Sequence, residues 1–99
     1  MTLYATCVIR SFKCSATQAL YGGKRVPRFA NINIVATRKL QMLDDAVELR
    51  DLFAPLANRL EALKGDRKGQ HSIRINNQWR ICFRWNTNGP ENVEIVDYH

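Results

Sequence analysis

No two cysteines of this chain stand at ligand spacing, no glycine-rich loop leads into a phosphate-binding lysine, and neither HExxH nor GxSxG occurs. The motifs that organise most metal, nucleotide and acyl-transfer sites are therefore missing. The three cysteines, Cys7, Cys14 and Cys82, form an odd set, which argues against a disulfide framework, and Cys14 and Cys82 read as reduced packing residues. No window is apolar for long enough to span a membrane, and "MTLYATCVIRSF" is not a charged leader running into a hydrophobic stretch. A cytoplasmic protein without metal or cofactor is expected.

Acids are also scarce. From Val8 to Arg28 there is none, against Arg10, Lys13, Lys24, Arg25 and Arg28; from Arg59 to Arg84 seven basic residues face only Glu61 and Asp66. Asp44, Asp45, Glu48 and Asp51 cluster between these regions. A small domain of net charge +6 with its cations gathered in two stretches suits a polyanionic partner, nucleic acid first, or simply carries a solvated basic surface. With 99 residues, 45% of them hydrophobic and 24% charged, the chain has material for one core and no second module.

The alternation in "VIRSF" predicts a short first strand. "SATQALYGG" predicts a short helix with Ser15 as N-cap and Gly22-Gly23 as its stop. From Pro27 the period becomes helical: Phe29, Ile32, Ala36, Leu40, Leu43 and Val47 recur at three- and four-residue spacing, widened by Val35. "DDAVELRDL" either continues that helix or begins another, and Pro55 ends it. "RLEALK" fits strand or helix by spacing, and its position before a hairpin favours strand. "HSIRI" and "WRICFRW" alternate strictly, "NTNGPEN" is a turn cluster, and "NVEIVDYH" is a last strand. The fold class is α+β: an N-terminal strand and helices packed on a mostly antiparallel, twisted sheet.

Register follows from the faces. A three-residue loop of Asn76, Asn77 and Gln78 pairs Ile75 with Trp79 and Ile73 with Ile81, keeping one face apolar. It also sets Arg74 opposite Arg80, with Arg84 two positions along. Like charges directly opposite are destabilising, an arrangement that a phosphate-binding surface explains and a fold alone does not need.

What remains for chemistry is a metal-free set: Lys64, Arg67, Arg80, Arg84, His71 and the terminal Asp97, Tyr98 and His99. Cleavage of RNA without a metal requires a 2′-oxygen that loses its proton and attacks in line, cations on the phosphate, and a proton for the leaving 5′-oxygen. Arginine and lysine suit the second task. His99 or Asp97 suits the proton transfers, and Tyr98 suits phosphate positioning or base stacking.

These stretches resemble a known family. "NRLEALKGDRKGQHSIRINNQWRICFRW" followed by "VEIVDYH", with "VIRSFKC" and "RKLQMLDDAVELRDL" before them, is similar to the RelE/HigB-type toxins of bacterial toxin–antitoxin modules, in the HigB (plasmid maintenance killer) branch. The resemblance covers nearly the whole chain from Val8 on. It implies metal-independent cleavage of mRNA in the ribosomal A site, with contacts to ribosomal RNA, no membrane association, and a cognate HigA-like, DNA-binding antitoxin through which alone operator DNA is reached. Carried over, the lysine of "LKGDR" is Lys64 and the arginine of "WRI" is Arg80, assigned to the transition-state charge. Asp97, Tyr98 and His99 are assigned to proton transfer and mRNA positioning, with the base left open between Asp97 and His99. Arg67, Lys68, Arg74, Arg84, Lys13, Arg25 and Arg28 are the RNA- and ribosome-binding candidates, and Glu61 and His71 the candidate modifiers.

Two departures stand out. Some members carry histidine where this chain has Glu61, a residue that repels phosphate unless it acts as a base or pairs with Arg59 or Arg80. The family pattern begins at Val8, so Met1–Cys7 is expected to be a dispensable extension or an upstream mis-start; mass spectrometry finding Met1 or Thr2 as the native first residue would refute this. Within the same fold a gyrase-directed toxin, and outside it a non-catalytic RNA- or ribosome-binding module, are the competing expectations.

Overall fold

Phe29, Ile32, Ala36, Leu40 and Leu43, the stripe read from the helical period, are all buried, and they define the side of the molecule on which the helices meet the sheet. The computed structural model describes residues Val8 to Asp97. The expected extension, Met1–Cys7, and two terminal candidates, Tyr98 and His99, lie outside the described residues.

The stripe spans two elements. A single 3-10 turn at Pro27–Phe29, with proline at its start, precedes the main helix, which covers Asn33–Asp45. Phe29 keeps its place in the stripe because the intervening turn preserves the spacing. At the other end the expectation fails: Ala46 has extended backbone, and Val47, no longer on a helix, is 55% exposed. Val35 is likewise exposed rather than widening the stripe. "DDAVELRDL" is divided, its second half forming a separate 3-10 turn at Leu49–Leu52 in which Glu48 and Asp51 close a capping box.

We label the helix Ser15–Tyr21 α1 and Asn33–Asp45 α2. Ser15 is the first residue of α1 and Cys14 takes the cap position without a side-chain cap bond, so Ser15 is not the N-cap. Gly22 and Gly23 do stop the helix, and Gly23 takes φ +91, backbone that glycine adopts at no steric cost.

The strands are β1 Glu61–Ala62, β2 His71–Arg74, β3 Trp79–Asn86 and β4 Gly89–Asp97, in the spatial order β1-β2-β3-β4 and antiparallel throughout. The β2–β3 register is the one predicted, with Ile73 opposite Ile81 and Arg74 opposite Arg80. The β3–β4 turn is tighter than predicted: Asn86 pairs with Gly89, so Thr87 and Asn88 alone make it and Gly89-Pro90-Glu91 belong to β4. A register shift follows between Cys82 and Arg84, and Asn92 takes φ +54 there, the left-handed backbone that a bulge uses.

"VIRSF" forms no regular strand. It runs parallel along the outer edge of β4, with Arg10 N–H donating to Pro90 O at 2.7 Å, Val93 N–H to Ser11 O at 3.0 Å and Lys13 N–H to Val93 O at 3.0 Å. Asp44 on α2 holds the same segment, accepting from Ile9 N–H and from the Tyr21 hydroxyl, each at 2.8 Å. Burial and then that carboxylate push the Tyr21 phenol well above its usual range, so it stays a donor. Thr17, fully buried in α1, accepts from Ile95 N–H at 3.0 Å and joins helix to sheet. Leu20, Ala36, Leu40 and Leu43 thereby pack on Ile73, Ile81, Phe83, Val93 and Ile95. No described helix is long and apolar enough to cross a membrane.

Candidate functional site

Strand alternation assigns the residues left over from that core to the opposite face: Ser72 and Arg74 on β2, Arg80, Cys82 and Arg84 on β3, Glu94 and Val96 on β4. One row across the sheet reads Glu61, Ser72, Cys82, Glu94. Its centre is made of small residues, Ser72 and Cys82, both fully buried, so the long side chains beside them lie down over this floor. Burial pushes the Cys82 thiol up, which keeps it protonated.

Arg80 lies on one side of the floor and is only 8% exposed. A buried guanidinium is tolerated only when its charge and its N–H groups are matched. Its Nε donates to Ser72 Oγ at 2.8 Å, and its Nη2 donates to the carbonyl of Arg59 at 2.7 Å. Glu61 Oε1 lies 3.5 Å from the same Nη2. Of the two partners foreseen for Glu61, the structure therefore gives Arg80. Arg74, directly opposite in register, turns away and donates to Asn77 Oδ1. The facing arginines are accommodated by separate partners.

The other side of the floor is closed by the connection between β1 and β2. A 3-10 turn at Gly65–Arg67 carries Arg67 across the sheet to Glu94 of β4, at 3.2 Å, and the same Nη1 donates to Gln70 Oε1 at 3.0 Å. Lys13 reaches Glu94 from the edge at 3.7 Å. Gly69 has φ +95, backbone that favours glycine, and it lies against the Arg84 guanidinium, 2.7 Å from where a Cβ would stand. Lys64 immediately precedes the turn and Lys68 follows it, both exposed.

The structure thus gathers Arg80, Arg74, Arg67, Arg84, Lys13 and Glu61 around one face, with Lys64 and Lys68 on the connection that arches over it. Other candidates lie elsewhere. His71 faces the core side and stacks on Phe83, ring centres 6.2 Å apart; burial lowers its pKa, and among the described residues its Nδ1 has no hydrogen-bond partner. Arg28 covers the Phe29 and Trp79 rings at 5.3 and 5.4 Å. Arg25 lines a groove of about 440 Å³ with Lys24, Val26 and Asn33 on the helical side. Asp97 pairs in register with Trp79 and accepts from Gln78 Nε2 at 3.1 Å; on β4 it follows Val93 and Ile95 in parity, whereas Val96 stands opposite Arg80.

Sequence reasoning passed over Ser72, Glu94 and the carbonyl of Arg59. The parity of "HSIRI" does put Ser72 with Arg74, and the register then sets it diagonal to Arg80, so Ser72 was within reach. Arg59 was not: its left-handed backbone, φ 46 and ψ 53, has no signal in a residue type that rarely adopts it.

The profile of RelE-like toxins of the type II toxin–antitoxin system HigB matches residues 18–99. The chain belongs to this HigB-like family. Its α+β fold, with two helices against a four-stranded antiparallel sheet, is the RelE-like one. Toxin HigB-1 of Vibrio cholerae is 50% identical over 48 residues, covering 48% of this chain and 50% of that protein. Endoribonuclease HigB of Proteus vulgaris is 36% identical over 61 residues, covering 62% and 65% respectively. An uncharacterized protein of Haemophilus influenzae is 33% identical over 75 residues, covering 76% and 74%. The chain therefore spans half the length of the Vibrio relative and just under two thirds of the Proteus one.

Proposed function

We propose that the chain is a toxin that cleaves mRNA in the ribosomal A site without a metal ion, and that a HigA-like, DNA-binding antitoxin restrains it in the cytoplasm and alone brings it to operator DNA. The observation that carries the reading is Arg80: a guanidinium immobilised on the floor of a basic face, where a phosphate entering between the two Arg–Glu pairs meets a charge already oriented. Preorganised charge of this kind stabilises a transition state at no cost of reorganisation. The endoribonuclease name of the Proteus vulgaris relative supports the same chemistry.

In the proposed reaction the ribose 2′-oxygen gives up its proton and forms a bond to phosphorus, the bond from phosphorus to the 5′-oxygen breaks, and that oxygen takes a proton. Arg80 and Lys64 offset the charge that develops on the phosphate. Asp97, Tyr98 and His99 are assigned to proton transfer and mRNA positioning, although Asp97 ends β4 on the parity opposite to Val96 and Arg80; Glu61, half exposed beside Arg80, is a further proton acceptor. DNA is spared because it lacks the attacking hydroxyl.

Mapping transcript 5′ ends after induction tests the reading. Wild type is expected to produce new ends within translated frames, and Arg80→Lys, which keeps the charge but loses the fork, to lose them together with growth arrest. Deletion of Asp97 to His99 is expected to do the same while antitoxin binding persists. Undiminished cleavage in both variants would overturn the site assignment. A docking module without catalysis is the second reading, favoured by the fact that Arg80, Arg67 and Lys13 each already face a carboxylate; salt-sensitive ribosome binding with intact transcripts would identify it.

A further inference from the structure

We propose that Ser72 and the backbone carbonyl of Arg59 form a two-point clamp that sets the direction of the Arg80 guanidinium, making both positioning residues for the reaction. The inference rests on the role proposed for Arg80 above.

Both contacts fall on the same edge of the guanidinium. Nε donates to Ser72 Oγ at 2.8 Å, and Nη2 donates to Arg59 O at 2.7 Å, with Ser72 O a longer acceptor at 3.5 Å. Two bonds on one edge of a rigid planar group fix its tilt and its rotation together. Nη1 is then turned away from the clamp by the planarity of the group. A salt bridge alone does not achieve this, since Glu61 is half exposed and lies at 3.5 Å.

Each half of the clamp has a structural cost that packing alone does not call for. Ser72 is fully buried, beside Ile73 in β2 and opposite Cys82 in β3, and its hydroxyl is matched by Arg80. Arg59 holds φ 46 and ψ 53, conformation that a non-glycine residue adopts at a penalty. That conformation directs its carbonyl to Nη2. Arg59 therefore acts through its backbone, and its own side chain is exposed.

The test is cleavage of message on programmed ribosomes by the full chain, comparing wild type with Ser72→Ala, Ser72→Thr, Arg59→Gly and Arg59→Val. Ser72→Ala is expected to lower kcat by roughly tenfold or more with KM little changed, because loss of one bond to a charged group and a small misalignment act on the transition state. Ser72→Thr restores the hydroxyl and should recover most of kcat. Arg59→Gly keeps the left-handed backbone and should keep kcat, whereas Arg59→Val, which resists that backbone, should lose it. Wild-type kcat in Ser72→Ala or in Arg59→Val, with antitoxin binding and melting temperature unchanged, overturns the clamp.

A second readout needs no substrate. The Arg80 Nε–H resonance in a nitrogen-15 spectrum is expected to be protected from exchange in wild type and exposed in Ser72→Ala. Equal exchange in the two proteins overturns the clamp even if no variant cleaves, while protection lost in Ser72→Ala with no cleavage by wild type leaves the clamp standing and removes the nuclease reading instead.

Discussion

Glu61 faces an arginine that the proposed substrate also needs. Its side chain is 49% exposed, so solvent screens the pair and its contribution to stability is small, of the order of 1 kcal/mol at most. Glu61→Gln is therefore expected to shift the urea midpoint little and to tighten RNA binding, because the competing carboxylate 3.5 Å from Arg80 is gone. Binding curves at fixed salt check this, and weaker binding would count against the shared site. His71 gives the second prediction at this scale. Burial lowers its pKa below the ordinary 6.5, so the unfolded chain takes up a proton more readily than the folded one. Stability is then complete above about pH 6.5 and falls as the pH drops through the folded value. His71→Phe should flatten that acid-side loss, as read by urea unfolding between about pH 7.5 and 5.5.

Among the elements, α2 carries the core. Leu40 is fully buried against the sheet, and Leu40→Ala should cost about 2–5 kcal/mol by chemical denaturation, with the open face left intact. Most of this element was legible, because a helical stripe repeats over enough residues to outweigh local noise. Its end was not: Val47 continues the period, but the run of acids after Leu43 gives way to a capping box that starts a new turn. The β2–β3 hairpin was legible to the residue, since a one-position slip would have exposed Ile73 and Ile81 together. The β3–β4 turn misled for a chemical reason. Asn, Gly and Pro in "NTNGPEN" all signal a loop, yet Thr87 and Asn88 suffice for the reversal, and Gly89 and Pro90 are absorbed at the start of a strand. Gly69 offers a test at this scale: Gly69→Ala must adopt a φ of +95 while the Arg84 guanidinium moves aside, and should destabilise the connection by about 1 kcal/mol. Its local hydrogen exchange should rise while that of α2 does not.

For the whole molecule, the charge excess read from sequence turns out to be divided between two sides. The open face holds Arg80, Arg74, Arg67 and Arg84, whereas Lys24 and Arg25 line a groove on the helical side. Composition gives the total but not this division, because residues far apart in the chain, Lys13 and Arg67, converge on Glu94 only through the sheet. Ribosome affinity is expected to fall steeply with salt. Arg84→Ala should reduce the slope of log affinity against log salt by about one while leaving kcat unchanged.

The pairing of residues 8–13 with β4 has a consequence in time. During synthesis the segment that docks on Pro90 and Val93 emerges well before its partners. Thr17 likewise waits for Ile95. The early segment therefore stays unclosed until β4 emerges, which makes this edge a late, long-range step of folding.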